Sequence, residues 1–188
     1  PRREARWTFD EALAMARPKY PSVILLPNHA AIFAFCRELA IDMGINNSGP
    51  NIAVRNGRIE DYRDLNRHFD FHKVAARYFG NGIGDLSDAD GRPLVFIMTY
   101  HSSKGLDFDV VHMPGLDAST EIVRPRQKAE APDLDRTLFF VAMTRSRERL
   151  VMSYSGQNAH PFVAGLPRDA VAFSDYQEPL NDEEDDLF

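Results

Sequence analysis

The sequence holds a single cysteine, Cys36, so an internal disulfide is excluded. Cys36 sits in an apolar stretch and reads as a reduced core thiol, as expected of a cytoplasmic protein. No apolar run approaches the ~18–20 residues needed to cross a bilayer. The first residues lack the charged-then-apolar pattern of a secretion signal, so secretion is not expected, and neither is a membrane partner. A basic excess is missing too. The net charge is −6, and the last twelve residues hold six acids and no Lys or Arg, which leaves 22 acids against 22 bases in residues 1–176. Nothing global marks a nucleic-acid binder, so any such function must reside in local sites. There are no internal repeats.

What is present is ordinary for a globular chain: 188 residues, 44% hydrophobic and 27% charged. That is enough for a real core and for one domain with some appendages. Residues 7–16 read as a helix, with Thr8 as cap and Glu11 at the capping-box spacing, closed by Pro18 and Pro21. Residues 22–26 (SVILL) have the branched-apolar character of a strand buried on both faces. Asn28 is placed to cap a helix over 30–43 that carries Ile32, Phe33, Cys36, Leu39, Ala40 and Met43 as its apolar stripe and stops at Gly44. Further strands are predicted at 51–54, 94–99, 110–113 and 150–154, and helices at 62–79 and 133–146. Residues 80–91 and 120–132 read as loops, and 161–166 as one turn. Strands alternating with helices predict an α/β sandwich with a mainly parallel sheet. Ligands in that architecture sit beyond the carboxyl ends of the strands, which points to the loops after Thr99 and around Arg145.

Two segments carry candidate chemistry. The first, Thr99-Tyr-His-Ser-Ser-Lys-Gly-Leu-Asp-Phe108, leaves a buried strand and enters a loop dense in donors: Thr99, His101, Ser102, Ser103, Lys104 and the Gly105 amide. Such a cluster suits phosphate oxygens, and equally a polar turn facing water. The Walker A pattern Gly-x-x-x-x-Gly-Lys-Ser/Thr occurs neither here nor elsewhere in the chain. The second, Leu138-Phe-Phe-Val-Ala-Met-Thr-Arg-Ser-Arg-Glu-Arg-Leu150, opens as an apolar helix and ends in arginines at alternate positions, Arg145, Arg147 and Arg149. An arginine on so rigid a mount can reach a neighbouring domain's phosphate; a solvated basic turn paired with Glu148 is the other reading.

Taken together, the two segments closely resemble the signature motifs in the second motor domain of superfamily I helicases of the UvrD/Rep-like group. There one motif runs Thr-x-His-x-x-Lys-Gly-Leu-Glu-Phe and the other Tyr-Val-Ala-x-Thr-Arg-Ala, in this order and with flanking strands. The resemblance covers about residues 22–154 and is strong in the two motifs. It implies a three-layer RecA-like (P-loop NTPase-like) α/β domain that lacks Walker A. Such a domain closes over ATP and Mg2+ held mainly by a first RecA-like domain of the same polypeptide. Arg145 takes the place of the arginine finger, with Thr144 helping to position it. Gly105 allows close backbone approach to ATP, and Asp107 replaces the family's ribose-contacting glutamate. Thr99, His101, Ser102 and Lys104 take the places of residues that hold single-stranded DNA.

The chain departs from the pattern at Phe140, where the family has tyrosine, and at Pro27-Asn28, where it often has arginine and threonine. His29 beside them reads as a packed or surface residue, and the histidines show no metal-ligand spacing with Cys36. Only about fifty residues, 45–94, stand where larger members insert a helical subdomain, so the compact variety is expected, roles in DNA repair or replication included. The expected organisation is an N-terminal helix and linker (1–21), the motor domain (22–176) and an acidic disordered tail (177–188). The tail ends Asp-Glu-Glu-Asp-Asp-Leu-Phe188, which is either solubilising or a docking peptide for a replication or repair protein. A non-enzymatic, degenerate helicase-like module for nucleic-acid or protein binding is the alternative to the motor.

Overall fold

The computed structural model describes residues 2–45 and 49–175. Helix α1 spans Arg2–Met15 and β1 Ser22–Leu26. Helix α2, His29–Asp42, leads to a small hairpin of β2 (Val54–Arg55) and β3 (Arg58–Ile59). Helix α3 (Tyr62–Phe71), β4 (Ala76–Tyr78) and β5 (Val95–Thr99) follow. The chain then forms β6 (Phe108–Met113), α4 (Pro125–Glu130), α5 (Leu134–Met143), β7 (Ser146–Met152) and α6 (Pro161–Ala164). The main sheet has the order β4-β5-β1-β6-β7, and every neighbouring pair is parallel. No helix among the described residues is long and apolar enough to cross a membrane.

Alternation along the central strands divides the core in two. Ile24, Leu26, Val95 and Ile97 face a core built with Ala5, Phe9 and Ala12 of α1, Ile32 and Leu39 of α2, and Leu65 and Phe69 of α3. Val23, Leu25, Phe96 and Met98 face the opposite core, with Leu116, Ile122 and Val123 and with Phe139 and Ala142 of α5. Helices therefore cover both faces of a parallel sheet, the expected three-layer α/β architecture, and β1 is buried along its whole length.

Local signals behave as their chemistry dictates. Asn28 caps α2, its Oδ1 accepting from Ala30 N (3.0 Å) and Ala31 N (3.1 Å). Gly44, at φ +66, turns the chain away after α2.

Several expectations are corrected. Helix α1 begins at Arg2, five residues early, because Ala5, Phe9 and Ala12 extend its buried stripe. Thr8 lies inside the helix as a buried residue, and its hydroxyl caps nothing. The strand expected at 51–54 is a two-residue arm of a hairpin whose turn, Asn56-Gly57, takes left-handed φ values of 51 and 69. The helix expected over 62–79 stops at Phe71; Lys73 at φ +56 reverses the chain, and β4 follows. Asn66 of α3 binds the outer edge of β4, donating to Tyr78 O (3.1 Å) and accepting from Tyr78 N (2.7 Å), so three residues suffice as an edge strand. Within 120–132, Ile122 and Val123 are buried and α4 forms. Strand β7 starts at Ser146, four residues early, which makes Arg147 and Arg149 strand residues. The tail expected at 177–188 lies outside the described residues.

Candidate functional site

Because all five strands are parallel, the sheet has one carboxyl edge and one amino edge. At the carboxyl edge three loops converge, after β1, β4 and β5. The loop after β5 is held from within. Thr99 is 4% exposed, and its Oγ1 accepts from Ser102 N (3.0 Å) and donates to Ser102 Oγ (2.9 Å). Ser103 is buried and donates to Tyr100 O (2.8 Å). His101 and Lys104 are exposed and Ser102 is half-buried. Of the predicted contact residues, Thr99 therefore shapes the loop, while His101, Ser102 and Lys104 meet solvent.

The neighbouring loop presses against it. Gly80 and Ile83 bridge a tight turn whose tip, Asn81-Gly82, has φ values of 52 and 74. Asn81 Nδ2 lies 3.2 Å from His29 Nε2, and His29 Nδ1 lies 2.8 Å from the Tyr62 hydroxyl. Tyr62 stacks on Tyr78, ring centres 3.9 Å apart. Burial lowers the His29 pKa and raises the Tyr78 hydroxyl to about 12. The His29–Asn81–Tyr62–Tyr78 cluster escaped the sequence reading. The Asn81-Gly82 dipeptide, a primed-turn signal, was its one available trace.

At the amino edge, the C-terminus of α5 delivers Arg145 immediately before β7. Its guanidinium folds back on its own domain. Nε donates to Val141 O (2.9 Å), Nη1 to Leu106 O (3.1 Å) and Nη2 to Thr144 Oγ1 (3.1 Å). Thr144 Oγ1 in turn donates to Val141 O (3.0 Å). Asp107 Oδ1 lies 3.3 Å from Arg145 Nη1, and Asp107 Oδ2 lies 3.8 Å from Arg147 Nη2. Gly105, at φ +84, is exposed, with nothing within 4 Å of where a β-carbon would lie. Phe140 stands 64% exposed on α5, one turn before Thr144.

The two predicted loops are therefore not neighbours at one edge. Thr99 ends β5 at the carboxyl edge, whereas Arg145 precedes β7 at the amino edge. The pattern of alternating strands and helices did not reveal this, because β5 and β6 flank β1 from opposite sides. The chain must cross the face of β1 to begin β6 parallel. It does so in the eight residues from Tyr100 to Asp107, with no helix, and buries Tyr100 and packs Leu106 against the α5-side core. One short covalent segment thus carries the Thr99–Lys104 loop at one end and Gly105 and Asp107 at the other.

A separate apolar cleft of about 410 Å3 lies between α2, the β2–β3 hairpin and α3, lined by residues such as Phe33, Met43, Ile52, Leu65 and His68. It contains none of the motif residues.

Residues 80–157 match the family model described as the UvrD-like helicase C-terminal domain. Among solved structures, the C-terminal domain of a possible DNA helicase from Lactobacillus plantarum WCFS1 aligns over 88% of this chain and 92% of its own, at 13% identity and a TM-score of 0.35. No curated protein matches the chain.

Proposed function

We propose, on the premise that this chain carries a UvrD-like helicase C-terminal domain over residues 80–157, that it is the second RecA-like motor domain of an ATP-dependent DNA helicase or translocase. In this reading it shares an ATP site with a first motor domain of the same polypeptide. Arg145 is the arginine finger, a fixed cation that meets the charge developing on the transferred phosphoryl group. Thr144 positions it, and Gly105 and Asp107 border the nucleotide. His101, Ser102 and Lys104 grip single-stranded DNA, on a loop whose shape Thr99 maintains. Roles in DNA repair or replication belong to the same proposal, as does a partner protein for the acidic tail.

The observation that carries this reading is the segment from Tyr100 to Asp107. It joins the loop proposed to hold DNA to the edge proposed to meet ATP, with a buried tyrosine in between. Movement of the Arg145 edge on nucleotide binding is transmitted to Thr99–Lys104 through eight covalently linked residues, with no intervening helix to absorb it.

ATP hydrolysis here also calls for Mg2+. Asp107 is engaged by two arginines, and among the described residues no group of three or more His, Cys, Asp or Glu side chains is placed to hold a metal. In this reading the ion is held mainly by the first motor domain. When bound it would offset phosphate charge, while Arg145 of this chain would supply the opposing cation.

The test compares the 188-residue chain with a polypeptide extended upstream through a P-loop motor domain. The isolated chain should hydrolyse no ATP, with or without single-stranded DNA. The extended protein should show DNA-stimulated hydrolysis. Turnover by the isolated chain, or a natural start at Pro1 with no partner motor domain, overturns the reading.

A further inference from the structure

The arginine proposed to act on phosphate is turned inward. Its three guanidinium nitrogens bond two carbonyls and a hydroxyl of its own domain, and the Asp107 carboxylate closes on the same group. Its side chain is only 20% exposed. An anion outside the domain must compete with these contacts for the guanidinium. The arrangement is imposed by strand register. Phe108 pairs with Ser146, and Phe108 N donates to Arg145 O (2.9 Å). That places Asp107, just before β6, beside both Arg145 and Arg147, which flank Ser146. The carboxylate divides between them, one oxygen toward each arginine.

We propose that Asp107 is a positioning residue that stows Arg145, and that Arg147 is the counter-charge which takes over the carboxylate when Arg145 swings out to phosphate. This rests on the reading of Arg145 as the finger and adds a mechanism for its release. When Arg145 leaves, Asp107 would face the incoming phosphates as a bare negative charge and oppose them. Arg147 removes that opposition. It is 64% exposed, so it can follow the carboxylate without being extracted from a core. Without Arg147 the carboxylate has a single partner and holds Arg145 more firmly. Without the carboxylate, neither effect remains.

The test is a three-variant cycle in the polypeptide that contains both motor domains, with kcat and KM measured separately at saturating single-stranded DNA. Arg147→Gln should lower kcat roughly tenfold, the scale of one lost charge contact near a phosphate, and change KM for ATP by less than about twofold. Asp107→Asn should raise kcat under the same conditions, because the finger is no longer held. The double variant should return kcat to the Asp107→Asn level, since Arg147 then has no carboxylate to neutralise. Rescue of this kind is not expected of a residue that merely supports the fold. An unchanged kcat in Arg147→Gln, or no recovery in the double variant, overturns the proposal. If Arg145→Ala remains inactive in that case, the finger assignment survives and only the latch is lost. If Arg145→Ala hydrolyses ATP normally, both fall.

Discussion

Gly80 packs so closely on Ser102 that a β-carbon at position 80 would lie 2.7 Å from Ser102 Oγ and 3.1 Å from the Tyr78 hydroxyl. The turn after β4 is thereby fitted against the loop after β5, and Ser102 is pressed toward Thr99. Gly80→Ala adds both this clash and backbone strain at φ +149, and should destabilise the domain by about 1–3 kcal/mol in chemical denaturation. Gly82→Ala, at φ +74 with nothing within 4 Å, meets only the strain. A larger loss at position 80 than at 82 is the expected signature of the close fit against Ser102 and Tyr78. Equal losses would show that the fit between the loops contributes nothing.

Lys104 is exposed on the loop that Thr99 and Ser102 brace. If it neutralises one backbone phosphate, Lys104→Ala in the two-domain protein should weaken single-stranded DNA binding for all sequences alike. The slope of log affinity against log salt should fall by about one. Fluorescence anisotropy titrations over a range of salt measure both. An unaltered slope would remove Lys104 from the DNA contact.

Arg145→Ala in the same protein should reduce ATP turnover by about 10³–10⁵-fold and leave ATP binding largely intact, since the finger acts on the transition state. Nucleotide affinity by equilibrium binding and turnover by phosphate release separate the two effects. A fall in affinity alone, with normal turnover at saturation, would reassign Arg145 to ground-state binding.

His112 is buried on β6 with both ring nitrogens unpartnered, and burial, aided by the Arg149 charge, lowers its pKa to about 4. Its register partner Ile24 faces the core shared with α1, so the imidazole lies in that dry layer. The folded-state pKa is depressed below the ordinary 6.5. Stability is therefore complete above pH 6.5 and is lost as pH falls toward 4, where the unfolded chain takes up the proton first; the loss is about 3 kcal/mol at most. Burial lowers His29, His68 and His160 as well, and they add losses of the same sign. His112→Leu should flatten the stability curve between pH 6.5 and 4 relative to the parent chain, and remove two unsatisfied polar atoms at neutral pH. Parallel denaturation series at stepped pH would expose the difference, and superimposable curves would show that His112 does not titrate on unfolding.

Short-range chemistry was legible from residues alone. The SVILL run has the branched-apolar character of a doubly buried strand, Asn28 had the side chain and the place to cap α2, and the two motifs resembled, in order and spacing, those of a helicase motor. These depend on side-chain polarity, capping and local periodicity, which act over a few residues. The tertiary structure decided what depends on contacts distant in sequence. Residues 76–78 became a strand because Asn66 and β5 supply the backbone partners that three residues cannot announce. Thr8 fell inside a helix because the sheet buried Ala5, Phe9 and Ala12 together. Above all, the order β4-β5-β1-β6-β7 sent Thr99 and Arg145 to opposite edges and set Asp107 between two arginines. Strand order follows from which apolar faces bury together, and no run of neighbouring residues encodes that choice.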